Sequence, residues 1–474
     1  MGMRKRSIVA LAVAVLAVVA PGLLSASGQE REGVADRFWF LHRDLGPEGS
    51  LTVRLTAMTG TITYPPPDHD EIVSGLVPWA KAGIIVKDGV RQGSPYAAVM
   101  LTGEHGVRFQ HDYRHDVAGR PGGVSEQEPR WLRLTRSGDT VTGFESADGE
   151  QWETVGSARL DGLPETVQIG LFATSPGDLT LQKVMLGGAV EQVRFTQAVG
   201  VFDSISPGGP WRSDAVGEMN RTDWERFHNA SGAVEKNGVV TVSGTGDIGP
   251  LDEDGPPASS GALLGVPIAI LIVLVVAASE VPPPAAPNAD GQRGPHGRGG
   301  ARGRGESGRR RLLTLVAAGF LTGAIGVGVV VPEPRVAIGL GVVFAACAVL
   351  AWELRVLLRR RWAAVLVSVS LVVVPYVIAT MPLLPDPVAQ WLLRVTPAAG
   401  FAAGQTVVEF PQVTAHYAPS AGYFPLSWWA GLLVLCAYPA GLALFLHWRR
   451  SRRRPPGSTR ASLLDGLPRR SAGV

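Results

Sequence analysis

The chain has 474 residues, room for two or three domains, with a formal net charge of +3 and 46% hydrophobic residues. That balance describes no ordinary soluble enzyme. Both cysteines, Cys347 and Cys436, lie inside long apolar runs, so the polar region from Gln29 to Ser260 has no thiol, which excludes a disulfide framework or a Cys-based zinc site there.

The first apolar segment, Ser7–Leu24, follows "MRKR" and precedes "SAS" at Ser25–Ser27. Residues 1–28 therefore read either as a first transmembrane helix or as a secretory signal peptide. From Val34 to about Leu251 the pattern changes to short alternating runs such as "SLTVRLTAM", "AGIIVKDG" and "WLRLTRSG", punctuated by turn dipeptides. This predicts an antiparallel β-sandwich over residues 29–260. On one strand Trp131, Arg133 and Thr135 should share a face, with Leu132, Leu134 and Arg136 on the other. "SADGEQW" reads as a hairpin with Asp148-Gly149 in the turn.

Within this region "GEHGVRFQHDYRHD" raises the question of a metal, because three histidines and two aspartates fall close together. The alternation of Val107, Phe109, His111 and Tyr113 argues for a strand, on which His111 and His115 would lie roughly 13 Å apart. One ion would not reach both, so the expectation is polar residues on a strand and the loop after it, with no metal. Glu145 and Glu153 flank a hairpin turn as surface charges, without the context of a glycosidase acid and nucleophile. No catalytic, cofactor-binding or metal residue is assigned, and the chain is not expected to be an enzyme.

After the sandwich come further apolar segments, at about Gly261–Ala278, Leu312–Val331, Val336–Leu354, Trp362–Met381 and Trp428–Leu446, each near the ~20 residues a helix needs to cross a bilayer. Between the second and third segments, residues 279–311 form a Pro/Gly/Arg-rich tract that reads as a disordered linker, and a shifted reading frame in a GC-rich gene would give the same composition. Residues 312–448 hold the remaining spans, and 449–474 a basic tail. "MRKR", seven arginines from Arg293 to Arg311, "RVLLRRR" and "RRSRRR" fall in alternate connections, whereas the short loops on the other side carry only Arg335 and Arg394. Both termini are therefore expected to be cytoplasmic, and residues 29–260 extracytoplasmic. Pro375 would kink the fifth span, and Gly319 and Gly323 form a G-x-x-x-G pair suited to close helix contact. No phosphate-binding G-x-x-x-x-G-K-[ST] occurs, so energy for any transport would come from another chain.

Two resemblances add to this. "WAKAGIIVKDG", "YAAVMLTGEHGVRFQ", "RWLRLTRSGDTVTGFESADGEQWETVG" and "LPETVQIGLFATSP" resemble the concanavalin A-like lectin/glucanase jelly roll over about Val34–Phe202. The resemblance implies a two-sheet sandwich whose concave face takes a glycan, often without catalytic residues. "NGVVTVSGTGDIGPLD", which resembles an opening segment of that domain, here closes it, as in a circular permutation that leaves the two ends adjacent.

The stretch Val336–Arg454 resembles permease subunits of actinobacterial ABC-type exporters of the six-span, type-2 class. It implies a separate ABC ATPase subunit, a second permease copy in a homo- or heterodimer, a surrounding lipid bilayer, and a re-entrant segment over residues 383–426. Gln405, Glu409 and His416 are then candidate polar groups of a translocation path. Two departures stand out: the basic amphipathic segment before the first span is reduced to "MGMRKRS", and the Arg/Gly tract replaces the helical loop that should meet the ATPase. The expected architecture is mixed, an all-β jelly-roll sandwich plus an α-helical transmembrane bundle of about six helices. The expected function is that of a permease subunit; the alternative is a membrane-anchored extracytoplasmic glycan-binding or sensing protein.

Overall fold

The computed structural model describes residues 3–26, 34–63, 71–183, 188–250, 263–281, 299–331, 333–405, 409–413 and 416–452. They form two compact units, one of Gly28–Pro257 with Val407–Ala421, the other of Met1–Ser27, Ala258–Thr406 and Gly422–Val474.

The first unit is a β-sandwich of antiparallel sheets. One sheet has seven strands in the order Arg212–Val216 (β15), Phe38–Leu45 (β2), Val167–Thr174 (β12), Lys81–Lys87 (β5), Tyr96–Thr102 (β6), Val107–His111 (β7) and His115–Ala118 (β8). The other runs Glu153–Arg159 (β11), Thr140–Ser146 (β10), Arg130–Ser137 (β9), Glu48–Thr63 (β3), Ala189–Ser206 (β14), Val239–Gly244 (β17) and Gly232–Lys236 (β16), with Asp178–Lys183 (β13) paired to β14 and Ile72–Ser74 (β4) to β3. A two-stranded ribbon joins Val34–Asp36 (β1) to Ile248–Pro250 (β18), so the two ends of the domain are neighbours, as the segment order implied. A short helix, Asp223–His228 (α2), is closed by a capping box between Thr222 and Glu225.

Strand alternation places the core. On β9, Leu132, Leu134 and Arg136 are buried while Trp131, Arg133 and Thr135 are half-exposed, as the period-2 pattern requires. Leu51, Ile84, Val99, Phe109 and Leu171 fill the space between the sheets. β5 and β6 are buried along their whole length, on both faces. Their second face packs into a separate apolar cluster with Phe38, Phe40, Phe172, Val216 and Ile248.

The second unit is helical: Lys5–Ala26 (α1), Val266–Glu280 (α3), Gly299–Gly328 (α4), Pro334–Leu358 (α5), Arg361–Thr380 (α6), Asp386–Val395 (α7) and Trp428–Ser451 (α8). Five of these are long and apolar enough to cross a membrane, and α3 is a shorter apolar helix of 15 residues. The second segment was expected to begin at Gly261. Its helix begins at Val266, where Pro267 sits in the first turn, a position that needs no N–H donor from it. The Arg/Gly tract also departs from expectation: from Gly299 onward it is helical and runs without a break into the apolar part of α4. Arginine is a good helix former, and extending an existing helix is far easier than nucleating one. Residues 282–298 of the tract lie outside the described residues.

Helix α1 is part of the bundle, with Leu11, Ala14 and Val18 buried beside α3 residues, and the Ser7 hydroxyl donating to the buried carboxylate of Glu280 at 2.5 Å. Gly319 and Gly323 face α5, as the small-residue spacing indicated. A Cβ on Gly323 would sit 3.0 Å from the Gly341 Cα and 2.9 Å from a Phe344 ring carbon. Gly323→Leu should therefore lower the thermal midpoint of the detergent-purified chain, by an overpacking cost of about 1–3 kcal/mol or more. Leu321→Ala, at an exposed site on the same helix, should leave the midpoint nearly unchanged. Equal midpoints for Gly323→Leu and the parent would disprove the close contact.

Candidate functional surfaces

The "HDYRHD" stretch is a tight hairpin and not one continuous strand. Asp112 and Tyr113 adopt left-handed backbone conformations (φ 47° and 62°) and reverse the chain, so His111 and His115 become cross-strand partners. Their rings stack with centroids 4.4 Å apart, against the roughly 13 Å expected from a straight strand. The expectation failed because an aspartate-tyrosine pair gives no glycine or proline signal for the turn. The His111 ring contacts the Asp112 carboxylate at 3.2 Å. Among the described residues no group of three or more His, Cys, Asp or Glu side chains is placed to hold a metal ion.

Tyr113, at the hairpin tip, is buried, and its hydroxyl donates to Asp36 Oδ2 at 2.7 Å. Asp36 Oδ2 also accepts from Lys87 Nζ at 2.6 Å and from the Gly93 amide at 2.8 Å. Lys87 and Asp36 side chains are 0% and 1% exposed. Burial lowers the Lys87 ammonium below the ordinary lysine value, against the opposing pull of Asp36. A second buried ammonium, Lys81, reaches the Asp247 carboxylate and donates to the Ile248 carbonyl at 2.7 Å. Burial raises Asp247, and the Lys81 charge opposes it. Both lysines project from β5, and their partners come from β1 and from Asp247–Ile248 at the start of β18. The two ion pairs thus fasten the ribbon onto the seven-stranded sheet, over an apolar patch of its outer face in which Phe38, Phe40, Tyr96 and Phe172 are all buried.

Glu145 and Glu153 are direct partners across β10 and β11. Glu145 accepts from the Arg120 amide at 2.7 Å, and Arg120 Nε donates to Glu153 at 3.1 Å. Burial raises the Glu145 carboxyl above its usual range, while the Arg120 guanidinium draws Glu153 below its own. Both carboxylates are tied to one arginine, a clamp on the strand edge. In the adjacent hairpin, Asp148 accepts from the Glu150 and Gln151 amides at 2.8 and 2.9 Å and is drawn down to about 2, chiefly by those amide bonds.

The three candidate translocation residues divide between the two units, Gln405 in the helical one and Glu409 and His416 in that of the sandwich. Gln405 ends a 3-10 turn, Pro397–Gly404; its carbonyl accepts from Arg335 at 2.7 Å and its side-chain oxygen from the Phe424 amide at 3.0 Å. Glu409 is exposed. His416 contacts Glu191 of β14 at 3.0 Å, and nearby Gln412 donates to the Arg114 carbonyl at 3.2 Å. Residues 409–413 and 416–418 thus group with the sandwich.

The 3-10 turn itself is wholly buried within the helical unit. Tyr376 of α6 stacks on Phe401 with ring centroids 4.0 Å apart. A Cβ on Gly431 of α8 would lie 2.2 Å from the Ala399 carbonyl oxygen, so only glycine admits that approach.

No protein-family model matches the chain, and no curated protein matches it. Solved structures with a local likeness include the GH43 protein BlXynB from Bacillus licheniformis, at 15% identity over 28% of this chain and 24% of that one, with a TM-score of 0.19. The chain thus spans about a quarter of that protein. A functionally unknown protein from Saccharomyces cerevisiae matches at 16% identity over 38% of this chain and 75% of that one, with a TM-score of 0.20. Scytalido-glutamic peptidase with a transition state analog inhibitor matches at 8% identity over 45% and 98%, with a TM-score of 0.27. These values assign neither a fold family nor a function.

Proposed function

We propose that this membrane-associated chain is the permease subunit of an ABC exporter-like complex, with both termini cytoplasmic and the sandwich on the other side of the bilayer. The observation that carries the reading is the buried 3-10 turn Pro397–Gly404, enclosed by α5, α6 and α8 between the last two spans. Irregular backbone at membrane depth survives only where protein buries it or a water-filled cavity hydrates it. Such an element has a place in a bundle that encloses a path, whereas a simple anchor has no use for it. The packing of α1 against α3 supports its retention as a first span. Without a phosphate-binding loop of its own, the chain would work with a separate ATPase subunit and a second permease copy.

The reading as a glycan-binding or sensing protein has less support. Its binding face would be the outer face of a sheet, and on the seven-stranded sheet the centre of that face is an apolar cluster under the ribbon, which leaves polar side chains such as His42 and Asp214 at one flank and Arg108, Gln110 and Asp116 at the other.

Topology is tested by single cysteines in a chain lacking Cys347 and Cys436. An impermeant maleimide should label Ser137→Cys in intact cells and Ser307→Cys only after lysis. A tagged chain should also retain a co-expressed ABC ATPase through purification. Labelling of Ser307→Cys without lysis would reverse the orientation, and ATP hydrolysis by the purified chain alone would refute the dependence on a partner.

A further inference from the structure

We infer that the β13–β14 hairpin is a membrane-contacting arm that lays its apolar side chains into the headgroup and acyl boundary of the bilayer. The inference rests on the reading that the helical unit spans a membrane. Among the described residues, the two strands pair only with each other from Asp178↔Arg194 to Lys183↔Ala189, and β14 joins β3 only from Phe195 onward. The six residues from Ala189 to Arg194 thus run about 20 Å past the last described pair with β3. A two-stranded hairpin of this kind is marginal in water without something to cover it.

The chemistry of the arm names the cover. Leu181, Val190 and Phe195 are 47%, 46% and 48% exposed, and Ile72 and Val73 of β4 beside them are exposed as well. Pairing and alternation put Leu181, Phe195 and Ile72 on one face of the sheet, because Leu181 lies opposite Glu191 and Phe195 opposite Thr63, which pairs in turn with Ile72. Val190 and Val73 lie on the other face. A docked protein would cover one face, whereas a lipid boundary wets both. The exposed Lys183 at the end of β13 suits the headgroup layer, where a lysine keeps its charge in water while its stem stays with the acyl chains.

The arm is tied in sequence to the candidate spans. Glu191 on the arm is bound by His416. In sequence His416 lies twelve residues after Gly404, which is buried in the helical unit, and twelve before Trp428, where the last candidate span begins. Trp428 and Trp429 there are exposed aromatics of the type that settle at membrane interfaces.

The full chain without Cys347 and Cys436, carrying Leu181→Cys, Val190→Cys or Ser137→Cys labelled with an environment-sensitive fluorophore, would be reconstituted into phosphatidylcholine–phosphatidylglycerol liposomes. Ser137 pairs with Glu48 at the opposite end of β3 from the arm and serves as the reference. The expected result is a blue-shifted emission at positions 181 and 190, quenched at least twofold by nitroxide-bearing lipid, with Ser137→Cys unaffected. Quenching at 181 and 190 no greater than at 137 would overturn the proposal. So would nitroxide-independent shielding accompanied by cross-linking of Leu181→Cys between copies, which would assign the arm to a second chain. Release of the whole chain from the liposomes by alkaline carbonate would bring down the spanning reading, and the arm with it, and is read separately on the same samples.

Discussion

Replacing Arg136 with leucine should lower the unfolding free energy of the chain by about 3 kcal/mol or more. The side chain points into the core and is 2% exposed, and its guanidinium donates only to main-chain carbonyls. Nε reaches Gly138 at 2.9 Å, Nη1 reaches Gly46 at 3.0 Å and Glu165 at 3.1 Å, and Nη2 reaches Pro164 at 2.6 Å. These acceptors lie on three separate turns, so one planar fork closes that end of the sandwich. Leucine fills part of the space and leaves several carbonyls without this donor. Arg136→Lys keeps the charge but loses the fork, and an intermediate loss is expected. Guanidinium unfolding followed by tryptophan fluorescence measures both. A loss below 1 kcal/mol in the leucine variant would show that water satisfies those turns equally well.

The second large effect is expected at Asp36. Asp36→Ala removes the carboxylate that receives Lys87, Tyr113 and the Gly93 amide. A buried ammonium without its counter-ion costs about 3–5 kcal/mol. The pH dependence should change with it. A lysine whose folded value is depressed takes up a proton more readily when unfolded, so its contribution to stability rises as pH climbs toward the ordinary lysine range and falls as pH drops. Loss of Asp36 depresses Lys87 further and widens that window. The variant should therefore regain more stability between pH 7 and pH 9 than the parent does. The double variant Asp36→Val/Lys87→Met should be milder than Asp36→Ala alone, because paired charges replaced by apolar groups leave nothing unpaired. A double variant as unstable as the single one would mean that the ion pair is not what fastens β1.

The parts of the fold that were legible from sequence are those in which one local rule acts alone. The alternation of Leu132, Leu134 and Arg136 against Trp131, Arg133 and Thr135 fixed a strand and its two faces, and Asp148-Gly149 fixed a turn, with Gly149 at φ 80°. That the two ends of the domain are neighbours followed from the order of segments, although the register Val34↔Pro250 did not. What stayed hidden depends on chain reversals that leave little local trace. Val107, Phe109 and His111 were rightly placed on a strand, but the reversal at Asp112 and Tyr113 needed the burial of the Tyr113 ring against Lys87 and Asp36, residues far away in sequence. Lys81 and Lys87 bracket an apolar run, and their burial follows from partners on the ribbon. The same holds for His416 and Gln412, whose mixed polar context gave no sign that they bind the sandwich.

The ribbon of β1 and β18 also decides how the sandwich responds to tension. Its open end is the pair Val34↔Pro250, and the next pairs inward are Ala35↔Gly249 and Asp36↔Ile248. The chain leaves both strands at the same end, so a force that separates the flanking segments sideways loads these bonds one after another, as in peeling, and not all at once, as in shear. Peeling is the weak direction of a β-ladder, and the two outer pairs offer little resistance. The tear would then reach Asp36 and Asp247, where two ammonium groups of β5 grip the strands. The domain is thus built to yield for two residues and then to hold, a short mechanical slack ahead of a stiff stop.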